Sequence, residues 1–163
     1  MKYLLLFSFV SWLIYIVTCI VLFGFLTSVS NSYFALEKKS LKYKVWFKIF
    51  IFTIATPIII IGVYLSAWFI YFAGAFLLLV GLTGALEGDD DKRVHNIGAL
   101  IPIIALNIYF AMNVSIWYAI VSVVITAALY FIPYRNNTLW AEYFAFVSAF
   151  VGLGLWLNKI GLI

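Results

Sequence analysis

Between Val45 and Leu86 the chain carries one charged side chain, Lys48, in an otherwise almost continuously apolar run. As a single helix that run would extend about 60 Å at 1.5 Å per residue, twice the roughly 30 Å hydrocarbon core of a bilayer. It must therefore fold back on itself. The sequence predicts two spans, 45–61 and 67–86, joined by a tight turn around Gly62 to Ser66. A second stretch, Val94 to Pro133, contains no Asp, Glu, Lys or Arg and divides at Asn113-Val114-Ser115 into spans 95–112 and 116–132. Apolar segments at 3–26 and 138–157 bring the expected number of spans to six. Composition agrees: 67% of residues are hydrophobic and 10% charged, against about 25% charged in soluble domains. With too little polar surface to coat a water-soluble globule, the expected fold class is all-α, a polytopic integral membrane bundle of six transmembrane helices. A single domain, 1–163, is expected, with no room for a soluble one.

Orientation follows from the basic residues. Lys38, Lys39, Lys42, Lys44 and Lys48 lie in or beside the first linker, Lys92 and Arg93 before the fourth span, and Arg135 before the sixth. Six spans put all of these on one side and leave Lys2 and Lys159 opposite. The positive-inside rule then sends the N- and C-termini outside the cytoplasm, in what reads as a bacterial inner (plasma) membrane. The acids Glu37, Glu87, Asp89, Asp90, Asp91 and Glu142 follow the basic side, so the polar chemistry is expected at the cytoplasmic face. The basic excess (pI ≈ 9.2) sits beside spans rather than in a separate basic domain, which argues for topology and against nucleic acid as a partner. The apolar run after Lys2 is longer than a signal-peptide core and lacks a small-x-small cleavage site, so it reads as a retained helix. Cys19, the one cysteine, excludes an intrachain disulfide and a cysteine metal cluster.

Several polar groups stand out. Ser28, Ser30, Ser32 and Tyr33 follow the first span closely enough to coordinate a polar headgroup or line an ion path; as an ordinary helix end they would satisfy loose backbone carbonyls instead. His95, the only histidine, is either a titrating switch or an interfacial residue bonded to a nearby acid. Glu142 lies about a turn inside the sixth span, where a carboxylate is costly unless paired. Arg135, seven residues earlier, and Lys48 are its candidate ion-pair partners. Asp89-Asp90-Asp91 reads as a solvated loop. Gly74, Gly81, Gly84 and Gly88 form a smooth stripe for close helix packing, within the bundle or between copies in a homo-oligomer. No metal site or cofactor is expected, since a zinc site would need partners that a lone histidine lacks. No phosphate-cradling glycine loop is present, and nothing positions an oxyanion hole for Ser28, Ser30 or Ser32 acting with His95.

The stretch Ser28-Val29-Ser30-Asn31-Ser32-Tyr33-Phe34 resembles an S-x-S-x-(S/T)-Y-(Y/F) segment found after the first helix in a family of small six-helix bacterial and phage membrane proteins. Phe72-Ala73-Gly74-Ala75 in span three and His95-Asn96-Ile97-Gly98-Ala99 in span four are similar to that family's other short motifs. The resemblance implies six helices, with the serine segment and His95 in one functional cluster. More distantly, the layout is similar to the DUF998 and FRAG1/DRAM/Sfk1 groups, whose links are to lipid organisation and membrane trafficking. Ceramidase-like membrane hydrolases, which need three histidines, are a poor match, and their activity is not carried over.

The leading expectation is a non-enzymatic protein binding a membrane lipid headgroup or small polar ligand at the cytoplasmic face, through Ser28, Ser30, Ser32, Tyr33, His95 and Glu142. The alternatives are a proton-coupled or passive transport pathway running from Glu142 and His95 past Asn107 and Thr53, and a structural partner protein that oligomerises through the glycine stripe.

Overall fold

The apolar runs become helices because lipid leaves the backbone no other partner: each N–H and C=O must bond within its own segment. The computed structural model describes residues 1–26, 28–29, 32, 35–36, 44–82, 89–133 and 136–163. Among them are six helices and no strand: α1 (Lys2–Phe23), α2 (Lys44–Tyr64), α3 (Trp68–Leu82), α4 (Asp89–Asn113), α5 (Ile116–Phe131) and α6 (Asn137–Lys159). Four segments, Lys2–Phe23, Val45–Tyr64, Arg93–Asn113 and Asn137–Lys159, are long and apolar enough to cross a membrane. α3 and α5 are shorter apolar helices of 15 and 16 residues.

The helices close into a ring. α1 packs against α2 and α6, α2 against α3, α3 against α4, α4 against α5 and α6, and α5 against α6. Phe47, Ile54, Ile61, Ile70, Phe110, Leu139, Leu153 and Leu157 form its buried interior. The outer surface is just as apolar. Leu6, Val10, Val17 and Val21 of α1, and Val121 and Val124 of α5, are all exposed. In water so much contiguous apolar surface would drive association; against acyl chains it is the matching surface.

The α2–α3 reversal differs in detail from the expected one. α2 continues through Gly62 to Tyr64, and the turn falls at Leu65–Ala67, with Ser66 at φ 52 and the Ala67 N–H donating to the Gly62 carbonyl at 2.8 Å. Gly62 is the floor beneath the turn rather than the turn itself: a Cβ there would lie 2.4 Å from the Tyr71 nitrogen. Gly74 and Gly81 are buried within the ring, their added Cβ atoms 2.7 Å from Ile59 Cγ1 and 3.0 Å from Ile51 Cγ2. The described part of the glycine stripe therefore seats α3 on α2 of the same chain; Gly84 and Gly88 lie outside the described residues. Asp89-Asp90-Asp91, expected in a loop, instead begin α4. Acidic residues suit that position, because the helix macrodipole favours negative charge at an N-terminus.

α4 and α6 run parallel. Lys159 Nζ donates to the Asn113 carbonyl at 2.8 Å, Tyr109 meets Trp156 edge-on at 5.1 Å, and Gly152 lies against the Phe110 ring. These contacts join the C-terminal halves of the two helices and close that end of the bundle.

Candidate functional site

Between α2, α3, α4 and α6 lies a cavity of about 100 Å³, with Ser122 and Thr126 contributed by α5. Its lining runs from Phe47 to Ile58 on α2, from Ala99 to Phe110 on α4 and from Glu142 to Leu153 on α6. Each of those stretches rises about 16 Å at 1.5 Å per residue. The space is a slot, elongated along the helix axes and lined from all of α2 to α6. Ile51, Ile54, Leu77, Leu106, Phe146 and Phe150 make its walls apolar, and Glu142 and Val29 stand at one end.

Glu142 is half-buried, and its Oε2 accepts the backbone N–H of Val29. The carboxylate thereby ties the segment after α1 to α6. Around this contact a small polar cluster is packed. Ser32 is buried at 1% exposure. Its hydroxyl donates to the Val29 carbonyl at 2.5 Å and lies 2.5 Å from the Tyr15 hydroxyl. Because the single Ser32 proton is used on Val29, Tyr15 is the donor in the second bond. The Tyr15 ring stacks on Phe50 at 3.8 Å, and Cys19 borders the same cluster. Ser28, also buried, borders the same cluster with Tyr143.

Of the residues singled out in the sequence, Ser28, Ser32 and Glu142 come together here. Ser30, Tyr33 and Arg135 lie outside the described residues. Lys48 is half-buried on α2 beside the slot residue Phe47. His95 is half-buried on α4 and shares the helical face of Ala99, Pro102, Leu106 and Phe110, one turn beyond the slot. Measured back from the Tyr109–Trp156 contact, His95 and Glu142 each lie about 21 Å along their helices, and from the Phe110–Gly152 contact about 22 and 15 Å, so His95 stands level with Glu142 or up to about 8 Å beyond it. Among the described residues no three of His, Cys, Asp and Glu converge to hold a metal ion.

Two features of the site went unread in the sequence. One is Tyr15, an aromatic among apolar neighbours with no local signal. The other is a hydroxyl chain in which Tyr118 donates to the Ser148 carbonyl at 2.5 Å and Ser122 meets Ser148 at 2.6 Å. Its signal was available: Tyr118, Ser122 and Thr126 recur every four residues, which places them on one face of α5.

The Tyr15–Ser32 bond is open to a direct check. Tyr15→Phe and Ser32→Ala are each expected to lower stability by about 1 kcal/mol, and the double variant by no more than either alone, because removing both partners leaves no buried group unsatisfied. Thermal unfolding of the three variants in mild detergent measures this; strictly additive losses would show that the bond contributes nothing.

No protein family, curated protein or solved structure matches the chain, so the functional reading rests on the site itself.

Proposed function

We propose that this chain is a non-enzymatic membrane protein that binds a single-chain amphiphile, with the polar head at Glu142 and the chain in the slot. The observation that carries the reading is the slot's shape and lining: elongated and mostly apolar, with a carboxylate at one end. In this reading all six helices span a bacterial inner membrane, both termini lie outside the cytoplasm, and the Glu142 end faces the cytoplasm. A carboxylate attracts a cationic or proton-donating head and repels an anionic one. His95 lies on the same face of α4 as the slot residues, beyond that end.

Packing favours binding over passage. A transport path past Asn107 would have to continue through the far end, where Phe110 lies on Gly152 and Tyr109 on Trp156. Thr53, the other residue on that expected path, bonds to the Phe50 carbonyl of its own helix at 2.8 Å.

Native mass spectrometry of the protein released from nanodiscs tests the reading. A single amphiphile class is expected to stay bound to the wild type. It is expected to be lost from Ala145→Leu and Ala149→Leu, which fill the slot while leaving Glu142 intact. Retention in both filled variants, or bulk lipid held unselectively, would rule out the slot as the binding site.

A further inference from the structure

Asn107 sits in the slot wall on α4. Its Nδ2 donates to the Ile103 carbonyl at 2.8 Å, while its Oδ1 is buried without a hydrogen-bond partner. The amide cannot be turned round to relieve this, since that would set two carbonyl oxygens against each other. Nor do the hydroxyls across the slot reach it. Thr126 donates to the Ser122 carbonyl, and Ser122 and Ser148 bond each other. An acceptor lacking a donor in an apolar wall is costly, and a slot of this volume has room for the donor.

We infer that the occupant supplies it: the slot takes a linear amphiphile with a cationic head at Glu142 and a second donor, a hydroxyl, farther along the chain at Asn107. This rests on the amphiphile reading of the slot and narrows it to a chemical class, hydroxylated long-chain amines. The Tyr109–Trp156 and Phe110–Gly152 contacts set the register of α4 against α6. Those contacts put Asn107 about 10–18 Å beyond Glu142 along the bundle axis. Between the two stations the wall is mostly apolar, and its hydroxyls on Ser122, Ser148 and Thr126 are already bonded within the bundle, which suits a hydrocarbon stretch between the two donors.

The test uses the full chain in phosphatidylcholine nanodiscs and two series of probes, unbranched primary amines and the matching terminal amino alcohols, over a range of chain lengths. Dissociation constants are compared between wild type and Asn107→Leu, so that differences in bilayer partitioning cancel in the ratio. The amino alcohol is expected to gain about tenfold over its amine at one chain length, with nitrogen and oxygen about 10–18 Å apart, and to lose that gain in Asn107→Leu. The wild-type length profile reads the same contact without any substitution. Amines that bind with no hydroxyl preference at any length would overturn the Asn107 assignment while leaving the amphiphile reading in place. If neither series binds, both fall.

Discussion

Gly62→Ala is expected to destabilise the bundle by about 3 kcal/mol or more, at the upper end of what overpacking costs. The added Cβ would lie 2.4 Å from the Tyr71 nitrogen and 2.7 Å from its Cα. Both obstacles are backbone, so no rotamer change relieves them; the start of α3 must move off α2. Against a total stability of about 5–15 kcal/mol, that is enough to shift the midpoint of unfolding visibly. Gly154→Ala is the matched control, because its Cβ would meet only Leu5 Cδ2, at 3.9 Å. There the change is expected to be neutral or stabilising by up to about 1 kcal/mol, from helix propensity alone. Thermal unfolding followed by circular dichroism separates the two. A Gly62→Ala protein as stable as the wild type would mean that the helices do not approach this closely.

The second large effect is expected at Glu142, where two substitutions separate charge from hydrogen bonding. Glu142→Leu removes the acceptor from the Val29 N–H and should cost about 1–3 kcal/mol, the penalty for a buried donor left unsatisfied. Glu142→Gln keeps an acceptor oxygen of the same reach and removes the charge. Its fold should hold, while affinity for cationic amphiphiles falls by at least about tenfold, the loss of a charge-assisted contact. Hydrogen exchange reads the first effect: the Val29 amide should exchange much faster in Glu142→Leu than in Glu142→Gln. Equal exchange in all three proteins would remove the tether between the segment after α1 and α6. Amine binding unchanged in Glu142→Gln would remove the carboxylate from the site.

The ends of the helices were legible in the sequence wherever a polar residue interrupts an apolar run. Asn113-Val114-Ser115 and the neighbourhood of Pro133 mark reversals that the structure places within a residue or two. Gly62 misled because its role is close approach, which local sequence cannot distinguish from a turn. Asp89 misled because a run of acids suits a helix N-terminus as well as a loop. Inside the bundle, legibility fell for a physical reason. Tyr3, Leu6, Phe7, Val10, Leu13 and Ile14 all point outward on α1, while Trp12, Tyr15, Ile16 and Cys19 point inward. Lipid is as apolar as the core, so the period that betrays a buried face in a soluble helix carries little contrast here. Polar residues kept their signal. Glu142 drew notice because a carboxylate at that depth is costly, and the structure places it at the mouth of the slot. Its partner, the Val29 backbone, could not be found by residue type.

The bond between Glu142 and Val29 has one more consequence. On the proposed reading, a cationic head and the Val29 amide would draw on the same carboxylate, so occupancy of the slot and the hold on the chain leaving α1 would be linked equilibria. Linkage runs both ways. On the proposed reading, whatever shifts the segment after α1 would shift affinity for the head, and whatever binds the head would shift the segment. Through one backbone contact, a binding event inside the bundle would act on the segment that follows α1.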